Sequence, residues 1–411
     1  MQAVETHWNR TIKPRINLRD PTHLSDPHTF LAEVRESGRL SRDKLGIYLI
    51  CQHADVNPGV RSRKLSRSPS KFHLYPQLRP FVADSPLERA VNTWITFSDP
   101  PQHARLRGLF NIMFKPVTIA LMRNRIKVIV DRLLDSLPAQ GSFDLVPTVA
   151  QPLPLMVMGN LLGLNDLEVL SSKVWSDVIA TVFEPLKSRN QQGLVNESLV
   201  QMLDMLKFVL QRYREGKSVG PNSLLGVLVQ GMDDGKLTEH ELLCNMVVTF
   251  GGGTETTTCM IGSGIHLLLK NPPAWATLRA RPELIPQAME EVLRYEGPVT
   301  FTDRYTVEPT EIGGEVIPPG QALYFMLNAA NRDPRVFDRP NEFDIMRTRN
   351  PHVAFGGGPH YCVGAPMARL EFEVVLARML QRFPNLSLVN NEPTWRPSFN
   401  MRALEALPLT C

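Results

Sequence analysis

Residues 237–270 read as one uninterrupted helix, and no other stretch of this chain of 411 residues constrains the fold as strongly. Thr238 followed by Glu241 makes a capping box at its start, and Asn271-Pro272-Pro273 ends it. At about 1.5 Å per residue such a helix runs roughly 50 Å, the width of a whole domain, so the rest of the chain has to pack around it. Its middle reads Gly251-Gly252-Gly253-Thr254-Glu255-Thr256-Thr257. Each glycine costs about 1 kcal/mol relative to alanine in a helix interior. A close helix–helix crossing is one reason to place three there. A distortion that frees carbonyls and Thr hydroxyls beside a bound group is another.

Helical apolar spacing recurs at 125–137, 197–213 and 363–383, whereas strands are few and short. Leu45–Cys51 reads as a strand, and 301–327 reads as a sheet region with turn chemistry at Gly313-Gly314 and Pro318-Pro319-Gly320. Pro397–Leu409 reads as a short hairpin. The expected class is mainly α with a minor β part. No linker, low-complexity tract or repeat divides the chain, so one large domain is expected, although about 100–200 residues per domain would allow more. The N-terminal residues lack an apolar stretch, and nowhere do about 18 apolar residues run together, so a soluble cytoplasmic protein with no membrane contact is expected. A net charge of +4 argues against general nucleic-acid binding. The basic run Arg61, Arg63, Lys64, Arg67 and Lys71 reads as a solvated loop face, with a partner or anionic-substrate site as the alternative.

Five cysteines, at 51, 244, 259, 362 and 411, show no paired spacing, which speaks against a disulfide scaffold or a zinc site. Cys244 and Cys259 sit among apolar residues and read as buried small hydrophobes. Cys362 is different. It lies in Phe355-Gly356-Gly357-Gly358-Pro359-His360-Tyr361-Cys362-Val363-Gly364-Ala365, where glycines allow close backbone approach and positive φ. The loop delivers the sulfur to a helix start, where the dipole and unpaired amides favour a thiolate. Such a thiolate serves equally as nucleophile or as metal ligand, and the residues alone leave both open.

The run from Phe355 to Gly364 resembles the haem loop of the cytochrome P-450 family. Residues 252–257 resemble that family's oxygen-activating helix, and Glu291-Val292-Leu293-Arg294 its Glu-x-x-Arg motif. The resemblance runs from about residue 20 to the C-terminus, in the family's order. It implies a triangular fold over 21–411 with a short extension at 1–20. Haem b (iron protoporphyrin IX) would lie between the oxygen-activating helix and the helix that follows the Cys ligand.

The resemblance also assigns roles. Cys362 would be the axial iron ligand, as in other haem-thiolate enzymes. His103 and Arg107, one helical turn apart, would share one haem propionate; Arg304 and His360 would assist, and Phe355 and Gly356 of the loop would also bind the haem. Glu291, Arg294 and Arg347 would form a buried supporting network. Thr256 would be the alcohol and Glu255 the acid of a proton relay. The implied reaction is insertion of one oxygen atom from dioxygen into a small organic substrate, as hydroxylation or epoxidation. NAD(P)H would supply electrons through a separate ferredoxin and reductase, docking near His103, Arg105, Arg107, Lys115 and Arg123. An isomerase, desaturase or peroxygenase is the alternative within the fold, and a haem sensor the alternative outside catalysis; the Glu255–Thr256 pair speaks against both. Expected pocket walls include Phe72, Leu74, Trp94, Ile95, Phe183, Val248, Gly252, Phe301 and Met401, with Thr300 and Thr302 as polar contacts.

Overall fold

The structure is a computed structural model and describes residues 16–18, 20–75, 84–183 and 190–411. Eight helices build the site: α1 (Gln102–Met113), α2 (Pro116–Asp135), α3 (Pro152–Leu162), α4 (Asp166–Ala180), α5 (Asn190–Arg214), α6 (Glu239–Lys270), α7 (Ile285–Tyr295) and α8 (Ala365–Arg382). The architecture is mainly helical with a minor sheet part, as expected. Among the described residues, no single helix is long and apolar enough to cross a membrane.

The long helix is real and unbroken. Helix α6 runs for 32 residues, with Thr238 and Glu241 completing the capping box at its start. From Thr257 to Leu269 every residue is buried, and α6 packs against α3, α4, α5 and α8. The expected distortion is absent: the helix continues through Gly251–Gly253, and the threonine hydroxyls are bonded back to carbonyls of the preceding turn. Thr256 Oγ1 donates to Gly252 O at 2.8 Å, Thr257 Oγ1 to Gly253 O at 3.2 Å and Thr258 Oγ1 to Thr254 O at 3.0 Å.

The other helices were legible in type, two of them shorter than real in extent and the one expected at 363–383 slightly longer than Ala365–Arg382. Helix α2 starts at Pro116 and not at 125, and α5 spans Asn190–Arg214 and not 197–213. Both extra turns have charged or polar residues mixed into the apolar spacing, so periodicity fades there.

Five strands form the main sheet: β1 (Ser41–Arg42), β2 (Tyr48–Ile50), β3 (Leu65–Ser66), β4 (Phe301–Thr306) and β5 (Ala322–Met326), in the order β1-β2-β5-β4-β3. Strand β2 pairs parallel with β5 (Tyr48 opposite Leu323), and β4 pairs antiparallel with β5 (Phe301 opposite Met326). Thr310–Ile312 and Glu315–Ile317 form a hairpin whose turn, Gly313-Gly314, has φ of 65° and 84°. Pro397–Leu409 is not one hairpin. Trp395 bridges to Leu404 and Met401 to Val299, while Pro408–Thr410 joins Ser142–Asp144 and Ser387–Leu388 in a separate sheet. The boundary expected at residue 20 falls inside the packing, since Ile16 pairs with Asp43 and Leu18 is buried beside Phe30 and Leu31.

Candidate active site

The loop before α8 depends on two left-handed glycines. Gly356 has φ 69° and Gly358 φ 63°, a region that penalises any residue with a Cβ. A Cβ at Gly358 would also stand 2.7 Å from Arg61 Cα. Cys362 N donates to Phe355 O at 3.0 Å and closes the loop. The sulfur thus stands just before the N-terminus of α8. Burial pushes its thiol up, while the amides of Gly364 and Ala365 and the cations Arg107 and Arg369 pull it back. Deep as it lies, Cys362 is accessible, because it faces a cavity.

That cavity, of about 250 Å³, has Cys362 on one wall and Val248, Gly252 and Thr256 of α6 on another. Its remaining lining includes two cations (Arg67 and Arg107), the rings of His103 and His360, and the apolar side chains Phe110, Phe114, Met158 and Met367. The His103 and His360 rings lie 3.9 Å apart. Burial lowers the proton affinity of both rings, and neighbouring cations lower it further: Arg107 at His103, Arg67 at His360. Arg304, behind this wall, is pushed down to about 9 by burial and by Arg67. Cations crowded against a low-dielectric wall call for an anion that relieves burial and repulsion together. A flat apolar ring bearing acidic groups and a thiophilic metal matches this lining. The residues fit haem.

A second cavity, of about 630 Å³, shares Arg67, Thr96, Val248, Gly252, Thr256 and Thr302 with the first. The two therefore meet along the middle of α6. Glu255 lines only the second, and its carboxylate is 3.0 Å from Arg396. Burial pushes Glu255 upward, Asp177 adds to this, and Arg396 and Lys173 oppose it.

These two cavities place the expected residues unevenly. Cys362, His103, Arg107, His360, Phe355 and Thr256 line the first cavity; Arg304 and Gly356 do not. Gly356 shapes the loop. Arg304 instead donates to Thr302 Oγ1 at 3.0 Å, Asp303 O at 2.7 Å and Val60 O at 3.0 Å, because β4 holds it against the segment after Val60. Arg67 is the residue that sequence reasoning missed. It is buried, ion-pairs with Asp303, and donates to Thr96 O at 3.0 Å and Thr302 Oγ1 at 3.2 Å. The available signal was Leu65, an apolar residue inside the basic run, which marks where the segment turns inward as β3.

Trp94, Phe301 and Met401 line the second cavity and Ile95 the first. Phe72 packs instead with Tyr305 and Ile47, with Leu74 against the same cluster. The Phe183 side chain lies outside the described residues. Thr300 is committed to Phe399 O and Asn400 O, so of the two threonines only Thr302 faces the cavities.

The cytochrome P-450 family model matches residues 88–281 and 275–404. The chain belongs to the cytochrome P-450 family. Cytochrome P450 107B1 of Saccharopolyspora erythraea is 39% identical over 401 residues, covering 95% of this chain and 96% of the relative. The 6-deoxyerythronolide B hydroxylase of the same organism is 33% identical, covering 95% and 97%. Among solved structures, P450BioI in complex with a hexadec-9Z-enoic acid ligated acyl carrier protein superposes with a TM-score of 0.87 at 30% identity, covering 95% of this chain and 99% of that one. As a cytochrome P-450 the protein binds iron protoporphyrin IX haem and is a haem-thiolate monooxygenase, an oxidoreductase.

The Glu-x-x-Arg pair of this P-450 is no surface pair. Glu291 and Arg294 are fully buried, joined by two contacts of 2.7 Å, and Arg347 Nε reaches Glu291 Oε2 at 3.1 Å. Arg294 also donates to Pro340 O at 2.7 Å and Glu342 O at 2.9 Å. The network therefore fixes the chain that leads into the Cys362 loop.

Proposed function

We propose that this P-450 hydroxylates or epoxidises a small organic substrate held in the larger cavity, with Cys362 as the residue that would ligate the haem iron. The observation that carries this reading is the shared wall: Thr256, Gly252 and Val248 border both the cavity of Cys362 and the larger one beside it. When bound, the haem supplies the redox chemistry that activates dioxygen. The protein supplies position, charge and protons. His103 and Arg107 share one face of α1 and, with His360 and Arg67, would hold the acidic groups of the haem; Arg304 supports that wall from behind.

Thr256 has spent its only hydroxyl proton on Gly252 O, so its lone pairs remain to accept a proton-bearing partner at the junction. Glu255, the preceding residue, has its proton affinity raised by burial, against the pull of Arg396, and serves as the proton source. Named activities among relatives include a 6-deoxyerythronolide B hydroxylase and a nocardicin C N-oxygenase, in keeping with oxygenation of an organic substrate.

Electrons are proposed to come from NAD(P)H through a separate ferredoxin and reductase. The docking face expected from five cations is weaker than the sequence implied. His103 and Arg107 face the cavity, while Arg105 and Arg123 are paired with Glu241 and Glu373.

The test of the ligand is spectroscopic. The reduced, carbon-monoxide-bound protein should show the strongly red-shifted Soret band of a thiolate-ligated haem, and Cys362→Ala should lose it. Cys244→Ala and Cys259→Ala should keep it, since burial pushes those thiols up to about 11 and about 12. An unchanged band in Cys362→Ala overturns the assignment.

A further inference from the structure

Glu255 is gripped from a distant part of the chain. Its Oε1 accepts from Arg396 Nη1 at 3.0 Å, across 141 positions of sequence. Arg396 stands on a short antiparallel stem, in which Arg396 N donates to Ala403 O at 2.8 Å and Glu405 N to Thr394 O at 2.9 Å. Two ring contacts hold the stem still. The Arg402 guanidinium lies 3.8 Å above the Trp395 ring, and His266 of α6 meets that ring edge-on at 6.3 Å. The tip is pinned as well, with Thr300 N donating to Asn400 O at 3.0 Å and Arg402 N to Pro298 O at 2.8 Å. That tip also forms a wall of the larger cavity, through Ser398, Asn400 and Met401.

From the opposite side, α4 presents Asp177 and Lys173, which are paired with each other at 2.5 Å. Asp177 opposes ionisation of Glu255, and Arg396 and Lys173 favour it. Lys173 is already engaged, so Arg396 is the cation that answers the Glu255 carboxylate. A pair this accessible, with side-chain exposures of 41% and 24%, adds little to stability. Its retention in a cavity wall calls for another reason.

We propose that Arg396 is a positioning residue for the proton relay: anchored on the rigid C-terminal stem, its guanidinium fixes where the Glu255 carboxylate stands beside Thr256. The inference rests on the reading of Glu255 and Thr256 as that relay. A carboxylate one position from Thr256 on a helix points about 100° away from it, so where it rests decides whether a water can join the two. Arg396 makes that place definite, and it does so from the segment that also borders the substrate.

Two measurements on the haem-loaded protein test this, and neither needs the natural substrate. The first is the infrared carboxyl band of Glu255 in the ferric protein, identified by its loss in Glu255→Gln and titrated with pH. Arg396→Gln should move its midpoint upward, because the favouring cation is gone, and Arg396→Lys should restore part of the shift. The second is the share of consumed oxygen released as peroxide, with a surrogate ferredoxin and reductase and no organic substrate added. Arg396→Gln should raise that share, through a slowing of roughly tenfold, below the ~10²–10⁴ a positioned proton donor supplies. Adding Arg396→Gln to Glu255→Gln should change nothing further. Should Arg396→Gln leave both the midpoint and the peroxide share unchanged while Glu255→Gln raises the latter, the positioning role falls and the relay stands. Should Glu255→Gln leave the peroxide share unchanged, the relay falls and Arg396's role with it.

Discussion

Glu371 shows what a single side chain loses when the interior gives it no partner. It is 1% exposed and lines the Cys362 cavity from α8, and its Oε2 has no hydrogen-bond partner among the described residues. Burial raises its pKa well above the usual carboxylate range, with no cation to oppose it. The folded protein therefore keeps the proton that the unfolded chain gives up above about pH 4.3, so stability falls as pH rises between the two pKa values. Glu371→Gln keeps the shape and removes the titration. It should raise the melting temperature of the haem-loaded protein at about pH 8 and have little effect near pH 5. A gain that is the same at both pH values would show that packing, and not ionisation, is at issue. Residues at this scale were unevenly legible. Cys362 stood out because glycines on both sides of a lone thiol have few structural uses. Arg67 did not, because charge alone reads as exposure until the strand that turns it inward is known. Nor did Glu371, because an acid in a helix reads as exposed even when its neighbours on the same face are apolar.

At the scale of elements, the glycines of α6 answer the question that their sequence left open. A Cβ at Gly252 would meet nothing within 4 Å, because that residue borders the cavities; at Gly253 it would meet Met158 Sδ at 2.7 Å, where α6 crosses α3. The close-crossing reading of the triplet holds at Gly253, and Gly252 keeps the cavity wall open without the distortion that the other reading required. The tightest crossing lies elsewhere, at Gly264, where a Cβ would stand 2.4 Å from the Phe372 ring and 3.2 Å from Val292 Cγ1. Phe372 is fully buried and has nowhere to go, whereas the Met158 thioether can swing aside. Gly264→Ala should therefore destabilise by about 1–3 kcal/mol from overpacking, even with up to ~1 kcal/mol returned by helix propensity. Gly253→Ala should come out within about 1 kcal/mol of neutral for the same propensity gain. Thermal melts of the two haem-loaded variants check this, and equal losses would refute the distinction. Helix α6 itself was fully legible because caps and length are local properties. The crossing at Gly264 was not, because it depends on which ring of α8 arrives opposite. The strands were legible only as regions, since runs of two to six residues carry little periodicity.

On the scale of the whole molecule, three distant segments meet at one buried carboxylate. Glu296, the residue that ends α7, lies 2.9 Å from His28 Nε2, 2.7 Å from Arg402 Nε and 3.9 Å from Arg332 Nη2. The helix Pro27–Ser37 thereby joins the C-terminal stem whose tip walls the larger cavity. Positions 28 and 296 lie 268 apart and 296 and 402 lie 106 apart, so no local pattern in the sequence could announce the junction. Burial alone would raise the pKa of Glu296, but His28, Arg402 and Arg332 outweigh it and hold the carboxylate well below its usual range. His28 responds the other way: burial lowers its pKa despite Glu296 beside it. The two directions conflict if His28 is counted as a cation, and they agree if the Arg402–Glu296 pair carries the charge while a neutral His28 donates a hydrogen bond. The sign of the pH effect follows. Below about pH 6.5 the unfolded chain protonates this histidine and the folded protein resists, so stability is lost as pH falls through that window. The carboxylate's own contribution goes only at lower pH, as the folded Glu296 is finally protonated. His28→Gln keeps a donor and removes the titration, so the drop in melting temperature between about pH 7 and pH 5 should be smaller than in the parent. Glu296→Gln leaves Arg402 and Arg332 buried without their counter-charge and should cost about 3–5 kcal/mol at neutral pH. Melts across this pH range decide the matter: an acid sensitivity that survives His28→Gln undiminished would mean that the junction does not set it.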